Sequence, residues 1–300
     1  MPFSFSTDLN VLIAIALLSW SSWGLFDKKA LEGAGHLDVL LFQHAYYLLE
    51  VPLGWLILNW LYQGGWTVAP GVWLWTGFAS MSSSGGMLFY LIAMSKAEAS
   101  FVLGITAAYP LIVQVLAHIF LHDALVPERM IGSLLVGIGV TLVGSSVNSK
   151  NSSQKHYKTV LLTCFMATLL WGVTGLFDKK ALAIDLPFKI YYARCVWDAA
   201  ILAVMLVSFK IINYKVAYKS AKAWKYSGFS SICLSLGTLS YLFAMTMATA
   251  SYVIVITGCY PLLMYLGAVI FLKEKLSKLR LAGVMLIVAG GLLVQKTQAL

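Results

Sequence analysis

Charged side chains are scarce in this sequence: they make up 11% of its 300 residues, whereas 60% are hydrophobic and the mean hydropathy is +0.83. A water-soluble domain, with about a quarter of its residues charged, is thereby excluded. Cysteine is sparse as well. Cys164, Cys195, Cys233 and Cys259 form no CxxC pair, and no histidine stands at a zinc-ligand spacing from them. A disulfide framework and a metal site are excluded, no cofactor is implied, and the four read as small apolar packing residues. No phosphate-binding GxxxxGK[ST] loop occurs, which excludes ATP-driven pumping by this chain alone. The only neighbouring His and Asp in a loop, His122 and Asp123, lack a nucleophile or metal set. An intramembrane transferase is therefore the weaker alternative, and the chain reads as no enzyme. The first ten residues contain no Lys or Arg, so the first apolar run reads as a retained helix and not as a signal peptide.

What is present is a series of apolar runs of about 20 residues, each long enough to cross the hydrocarbon core as a helix. They fall near 9–27, 38–61, 70–95, 99–121, 128–147, 158–177, 187–209, 223–247, 250–272 and 279–295. The fold class expected is all-α and integral to the membrane, with ten transmembrane helices. The net charge of +9 sits mainly in the loops, where Lys and Arg set orientation in a bilayer and do not bind nucleic acid. Arg129, Lys179, Lys180, Lys189 and Lys296 share the side of the amino terminus. Lys28, Lys29, Lys96, Lys150, Lys155, Lys158, Lys210, Lys215, Lys219, Lys222, Lys225, Lys273, Lys275, Lys278 and Arg280 lie opposite. The more basic side is expected in the cytoplasm, which places both termini outside. The segment Lys210–Lys225, basic with interleaved aromatics, suits an anionic membrane surface.

The sequence is written twice. WSSWGLFDKKAL, from Trp20 to Leu31, returns as WGVTGLFDKKAL from Trp171 to Leu182, an offset of 151 (171 minus 20). The same offset carries Tyr90–Leu125 onto Tyr241–Leu276, with about half the positions identical. The halves are 1–147 and 158–300, joined by a linker at 148–157. Five spans per half is an odd number, so the second copy enters the membrane from the opposite face. Two inverted five-helix repeats result, the plan of secondary transporters whose substrate site lies between the repeats and opens alternately to each side.

These residues carry a family resemblance. A Trp opening a motif that closes with Lys eight residues on (Trp20 to Lys28, Trp171 to Lys179) resembles the EamA family of the drug/metabolite transporter superfamily. So do Tyr-Pro in each fourth helix (Tyr109-Pro110, Tyr260-Pro261) and an acidic residue after it, Glu274 in the second half and Asp123 in the first. The resemblance spans essentially the whole chain. It implies an integral-membrane carrier of small metabolites and leaves the metabolite unnamed.

Candidate site residues follow from polar groups at bilayer depth, which face inward because lipid offers them no partner. In the second helix Gln43, His44, Tyr47 and Glu50 recur at helical spacing, and the offset maps Gln43 onto Arg194 and Tyr47 onto Asp198. Arg194 and Asp198, four apart, are expected to pair on one helix face. Trp20, Trp23, Trp171, Tyr90, Tyr109, Tyr241 and Tyr260 are expected to wall the cavity. His44, Glu50 and Asp198 are candidates for proton coupling; facilitated diffusion is equally compatible. Proline withdraws the donor for the carbonyl four residues earlier, so Thr106 with Pro110 and Thr257 with Pro261 read as hinges. Asp27 with Lys28 and Asp178 with Lys179 read as an ion-paired gate or as snorkelling helix ends. Small residues at Ser80–Gly86 and Ser231–Ser240 allow close packing or open room for a central cavity, on different faces, and Gly132, Gly139, Gly283 and Gly290, seven apart within each fifth helix, allow close packing. For the glycines, contact inside the bundle is favoured over dimerisation.

The function expected is alternating-access transport of small metabolites such as amino acids or aromatic compounds; a multidrug or cationic-compound exporter is the alternative. Its partners are a small-molecule substrate and the lipid bilayer, as a monomer or homodimer spanning a bacterial inner (plasma) membrane several times.

Overall fold

The computed structural model describes residues 8–97, 102, 105–106, 109–122, 124, 126–145, 154–271 and 278–297. Among them there is helix and no strand. In chain order the helices are α1 (Leu9–Leu31), α2 (His36–Tyr62), α3 (Pro70–Lys96), α4 (Tyr109–Leu121), α5 (Pro127–Ser145) and α6 (Gln154–Leu182). They continue as α7 (Pro187–Ile211), α8 (Ala221–Met247), α9 (Ala250–Thr257), α10 (Tyr260–Phe271) and α11 (Lys278–Gln295). The boundaries follow local chemistry. Asp8 caps α1 by accepting from the Asn10 amide, and Ser220 caps α8 through the Ala223 amide. Pro70 and Pro187 open α3 and α7 at the first turn, where no backbone donor is needed. The offset carries the ends of α3 onto the ends of α8.

Leu9–Leu31, Tyr157–Leu182, Pro187–Ile211, Ala221–Met247 and Ala250–Gly267 are each long and apolar enough to cross a membrane, and Ile112–Leu121 and Leu281–Val294 are shorter apolar stretches. Large apolar side chains such as Leu49, Trp60, Val204 and Ile211 stand exposed on the outer faces. In water such a surface would aggregate; in a bilayer it is the lipid contact. The run at 250–272, expected as one span, is instead two helices. Pro261 cannot donate to the Thr257 carbonyl, the ladder stops at Gly258, whose amide reaches back to Ile254, and the Leu262 amide restarts it on the Cys259 carbonyl.

The repeats interlock. α1 packs along α8 and α6 along α3, so the first helix of each repeat lies on the third helix of the other; α2 meets α7 and α5 meets α11 across the pseudo-two-fold axis. The α5–α11 seam needs glycine. A Cβ on Gly139 would lie 2.5 Å from the Gly283 carbonyl, and one on Gly132 would lie 2.7 Å from that of Gly290. The paired glycines thus serve contact inside the bundle, with backbones close enough for dispersion to hold them.

On the face carrying the α1–α2 and α7–α8 loops the repeats also share a polar latch. The Ser220 hydroxyl donates to the Gly33 carbonyl (2.8 Å), the Ala217 amide to Asp38 Oδ1 (3.2 Å), and Lys222 pairs with Glu32 (2.6 Å). Part of the basic segment expected to lie along a membrane surface is therefore engaged by the other repeat. The offset equivalents of Gly33, Ser220 and Lys222 are Ile184, Ala69 and Gly71, and there the contact is Ile184 against Gly71.

Two predictions follow from this packing. Gly139→Ala forces α5 and α11 apart and lowers the unfolding midpoint in detergent, with roughly 1–3 kcal/mol of overpacking behind it; the lipid-facing Leu292→Ala leaves the midpoint nearly unchanged. Hydrogen bonding from Lys222, then Lys29, holds the exposed Glu32 carboxyl below its usual 4.5. A depressed acid contributes its stability above the ordinary value and loses it as pH falls through the folded one. Acidification through that range weakens the latch, by a small amount at this exposed site, and Glu32→Gln removes the dependence.

Candidate functional site

The duplicated motif closes α1 and α6 and places Asp27 and Asp178 inward, 0% and 1% exposed. Asp27 Oδ1 accepts from the Gln43 amide (2.7 Å) and the Ser230 hydroxyl (2.6 Å). Asp178 accepts from Arg194 Nη1 at 2.9 and 3.1 Å. Gln43 and Arg194 are equivalent positions, so one architecture serves the same acid with a neutral donor in the first repeat and a cation in the second.

The adjacent lysines go elsewhere. Lys28 Nζ donates to the carbonyls of Met94 and Ala97 (both 2.8 Å), and Lys179 Nζ to those of Met245 (2.6 Å) and Ala248 (3.0 Å). They satisfy the carboxyl-terminal ends of α3 and α8, where free carbonyls and the helix dipole favour a cation. The expected ion pairs of Asp27 with Lys28 and Asp178 with Lys179 are not formed. Consecutive helix residues point in different directions, and each side chain finds its own neighbour.

Between the repeats lie two adjoining chambers of about 100 and 60 Å³. The larger is aromatic. Trp20, Trp23, Trp171, Tyr109, Tyr241 and Tyr260 wall it, with Thr174, Asp178 and Arg194. Trp23 meets Trp171 edge-on with ring centres 5.6 Å apart and Tyr260 at 5.4 Å; Trp20 meets Tyr241 at 5.3 Å. The small residues of α3 and α8 make room for these rings. A Cβ at Gly86 would sit 2.6 Å from Trp171, and one at the equivalent Gly237 would sit 2.4 Å from Trp20. Tyr90, expected in the wall, is fully buried behind it, where its hydroxyl accepts from Trp23 Nε1 (3.2 Å).

The smaller chamber is polar, walled by Gln43, His44, Tyr47, Glu50, Tyr191 and Asp198 among others, and it shares Ser83, Met87, Arg194, Leu234 and Thr238 with the first. Glu50 accepts from the Ser235 hydroxyl (2.5 Å) and from the Tyr191 hydroxyl. His44 Nδ1 lies 2.9 Å from the Leu40 carbonyl, which can only accept, so Nδ1 carries hydrogen and Nε2 faces Ser84 (2.9 Å). The pairing expected between Arg194 and Asp198 is replaced by Arg194 with Asp178, because the motif of α6 brings a carboxylate to the guanidinium from a second helix. Arg194 commits only Nη1 to this bond. Its Nε and Nη2 make no other hydrogen bond among the described residues.

The cavity thus gathers every candidate wall residue except Tyr90. Thr106 and Thr257 are buried and bond back to the Val102 and Val253 carbonyls (3.0 and 2.8 Å). The side chains of Pro110 and Pro261, and Asp123 and Glu274 entirely, lie outside the described residues. Of the junction residues, Ser83, Leu234 and Thr238 fall within the small-residue runs Ser80–Gly86 and Ser231–Ser240, whereas Met87 carries no signal in sequence. Cys195, read as packing, lines the polar chamber with its sulfur 3.7 Å from Glu50.

Comparison with known proteins adds three findings. The model of the EamA-like transporter family matches residues 9–145 and 158–295. A solved crystal structure superposes with a TM-score of 0.74 over 97% of both chains at 16% identity, a likeness of fold. No curated protein matches the sequence.

Removing the cation strands a buried acid, whereas removing the amide removes one of two neutral donors. Arg194→Ala is expected to cost about 3–5 kcal/mol and Gln43→Ala about 1–3 kcal/mol. Arg194→Ala should therefore give the lower unfolding midpoint, and Arg194→Ala with Asp178→Ala should recover part of the loss; equal midpoints for the two single variants would contradict the assignment.

Proposed function

This chain belongs to the EamA-like transporter family, and from the chemistry of its cavity we propose that it carries small zwitterionic metabolites with an aromatic or apolar body, such as aromatic amino acids, by alternating access. As a member of that family it is a multi-pass membrane transporter of the drug/metabolite type. The observation that carries the finer reading is the joining of the two chambers at Arg194. A ring of Trp20, Trp23, Trp171, Tyr109, Tyr241 and Tyr260 suits an apolar body, since aromatic faces and edges pack well on one another. The uncommitted Nε and Nη2 of Arg194 suit a carboxylate, for which a guanidinium is matched in shape. Gln43, His44, Tyr47, Glu50 and Asp198 beside them suit an ammonium.

Alternating access is supported by the unequal faces of the interlocked repeats. One is closed by the Gly33, Asp38 and Glu32 latch, the other by the apolar Ile184 contact; both are formed here, and rocking about the cavity would open one while the other holds. The helix break at Gly258 would absorb the motion as a hinge; the equivalent position, 107, lies outside the described residues. The lysine bias supports an orientation with the latch on the cytoplasmic side, and a cavity enclosed by one chain supports a monomer as the transporting unit. Glu50 and Asp198 favour a second reading, a carrier of organic cations, because neither forms an ion pair among the described residues.

Indole compounds separate the readings. A ligand that binds only the folded protein raises its unfolding midpoint. L-Tryptophan is expected to do so and to be taken up by liposomes containing the protein, with Arg194→Gln weakening binding about tenfold or more, the worth of a charge-assisted hydrogen bond. Stabilisation by tryptamine and not by tryptophan would favour the cation reading. Indifference to both, with no flux of either, would overturn the proposal.

A further inference from the structure

The pseudo-symmetry exposes a missing charge. At equivalent positions Asp178 holds a guanidinium and Asp27 holds an amide. Around Asp27 every facing group is neutral. α2 presents Gln43 and Tyr47, α3 presents Tyr90, α8 presents Ser230 and Cys233, and α1 itself presents Trp23. Asp27 takes part in no ion pair among the described residues. The adjacent Lys28 turns its ammonium to the Met94 and Ala97 carbonyls, and His44 turns to Leu40 and Ser84. Asp27 is fully buried, and no donor among the described residues lies within hydrogen-bond geometry of its Oδ2, although the neutral Tyr90 and Trp23 stand close enough to the carboxyl to interact with it. Oε1 of Gln43, itself 1% exposed and in the wall of the polar chamber, is also without a hydrogen-bond donor among them.

An unpaired carboxylate in such surroundings loses its hydration without replacement, so the state that tolerates burial has a cation bound. The space beside Oδ2 has no built ammonium or guanidinium. We propose that Asp27 is the proton-binding site of this carrier, the proton occupying in the first repeat the electrostatic place that Arg194 fills in the second. Binding forms an O–H bond at Oδ2 and removes one negative charge; release returns the proton to water. Only one layer of side chains, Gln43 and Trp23, separates Asp27 from the two chambers, so the cavity in its hydrated state is the route by which the proton leaves.

Gln43 transmits the change. While Asp27 is a carboxylate it holds the Gln43 NH2 group and leaves Oε1 as an acceptor at the polar chamber. When Asp27 is protonated at Oδ2, Oδ1 becomes a neutral carbonyl oxygen that accepts more weakly, so the hold on the Gln43 amide loosens. Proton occupancy is thereby linked to what the polar chamber offers a ligand. This deepens the transport reading and rests on it for its consequence, but the binding step is measurable without any substrate.

The test is infrared difference spectroscopy of the purified protein in liposomes, exchanged between mildly alkaline and mildly acidic buffer with no ligand present. Wild type should gain a protonated-carboxyl band on acidification. Asp27→Asn, close in shape and permanently neutral, should lose that band, and Asp27→Glu should keep a shifted one. Gln43→Arg supplies the guanidinium that the twin site has and should abolish the band in a folded protein; it decides the matter where Asp27→Asn does not fold. A full band in Asp27→Asn would assign it to Glu50 or Asp198 and overturn the proposal, as would its absence from wild type. With L-tryptophan as probe, Asp27→Asn should lose uptake driven by a pH gradient and retain exchange of labelled for unlabelled tryptophan. If wild type moves no tryptophan, the substrate reading fails while the spectra still decide the proton site.

Discussion

An acidic side chain at the inner end of a membrane helix must be given partners, and much of this structure is the answer to that requirement made twice. In each repeat the acid is met from the second helix, by Gln43 or Arg194, while the neighbouring lysine seals the end of the third helix. Three helices of one repeat are thus tied through a single motif by bonds that lipid cannot supply. The same first helix also packs on the other repeat, and in α1 it is Ser230 of α8 that reaches Asp27 itself. One short stretch therefore organises both the inside of each repeat and the contact between them, which explains its near-identity in the two copies.

Duplication supplies the frame, and departures from symmetry supply the chemistry. Trp20 on Gly237 and Trp171 on Gly86 are symmetric, as are the α5–α11 glycines, and these contacts concern shape. Gln43 against Arg194 and Tyr47 against Asp198 are not, and these concern charge. A symmetric cavity at the pseudo-two-fold axis would bind a symmetric ligand; the unlike pairs give the cavity a direction.

Helices, the repeat and most of the cavity wall were legible because hydropathy and a constant offset are properties of the chain itself. The run Gln43, His44, Tyr47 and Glu50 stood out because four polar groups in an apolar helix have no other reason to be there. Partner choice was not legible. Arg194 looked bound to Asp198 because sequence displays neighbours along one helix, whereas Asp178 arrives from the preceding helix by way of a turn. Lys28 looked like a gate since nothing in sequence reveals that α3 ends beside it. Tyr90 lies one layer behind the wall, because helical spacing gives a direction but not a depth, and the junction residues Ser83, Leu234 and Thr238 sit in small-residue runs whose pattern does not separate helix packing from a cavity.

The interlocking of α1 with α8 and of α6 with α3 bears on how the protein is made. When the first repeat has left the ribosome its inner surfaces have no counterpart, since the helices that cover them are still untranslated. At about 5–20 residues per second, the second half takes roughly seven to thirty seconds to follow. Through that interval Asp27 lacks Ser230 and Trp20 lacks the groove over Gly237, so the half-made chain must be sheltered at the insertion site or by lipid headgroups until α8 arrives. Neither half is a unit that folds first and waits; the cavity comes into being only when synthesis is nearly complete.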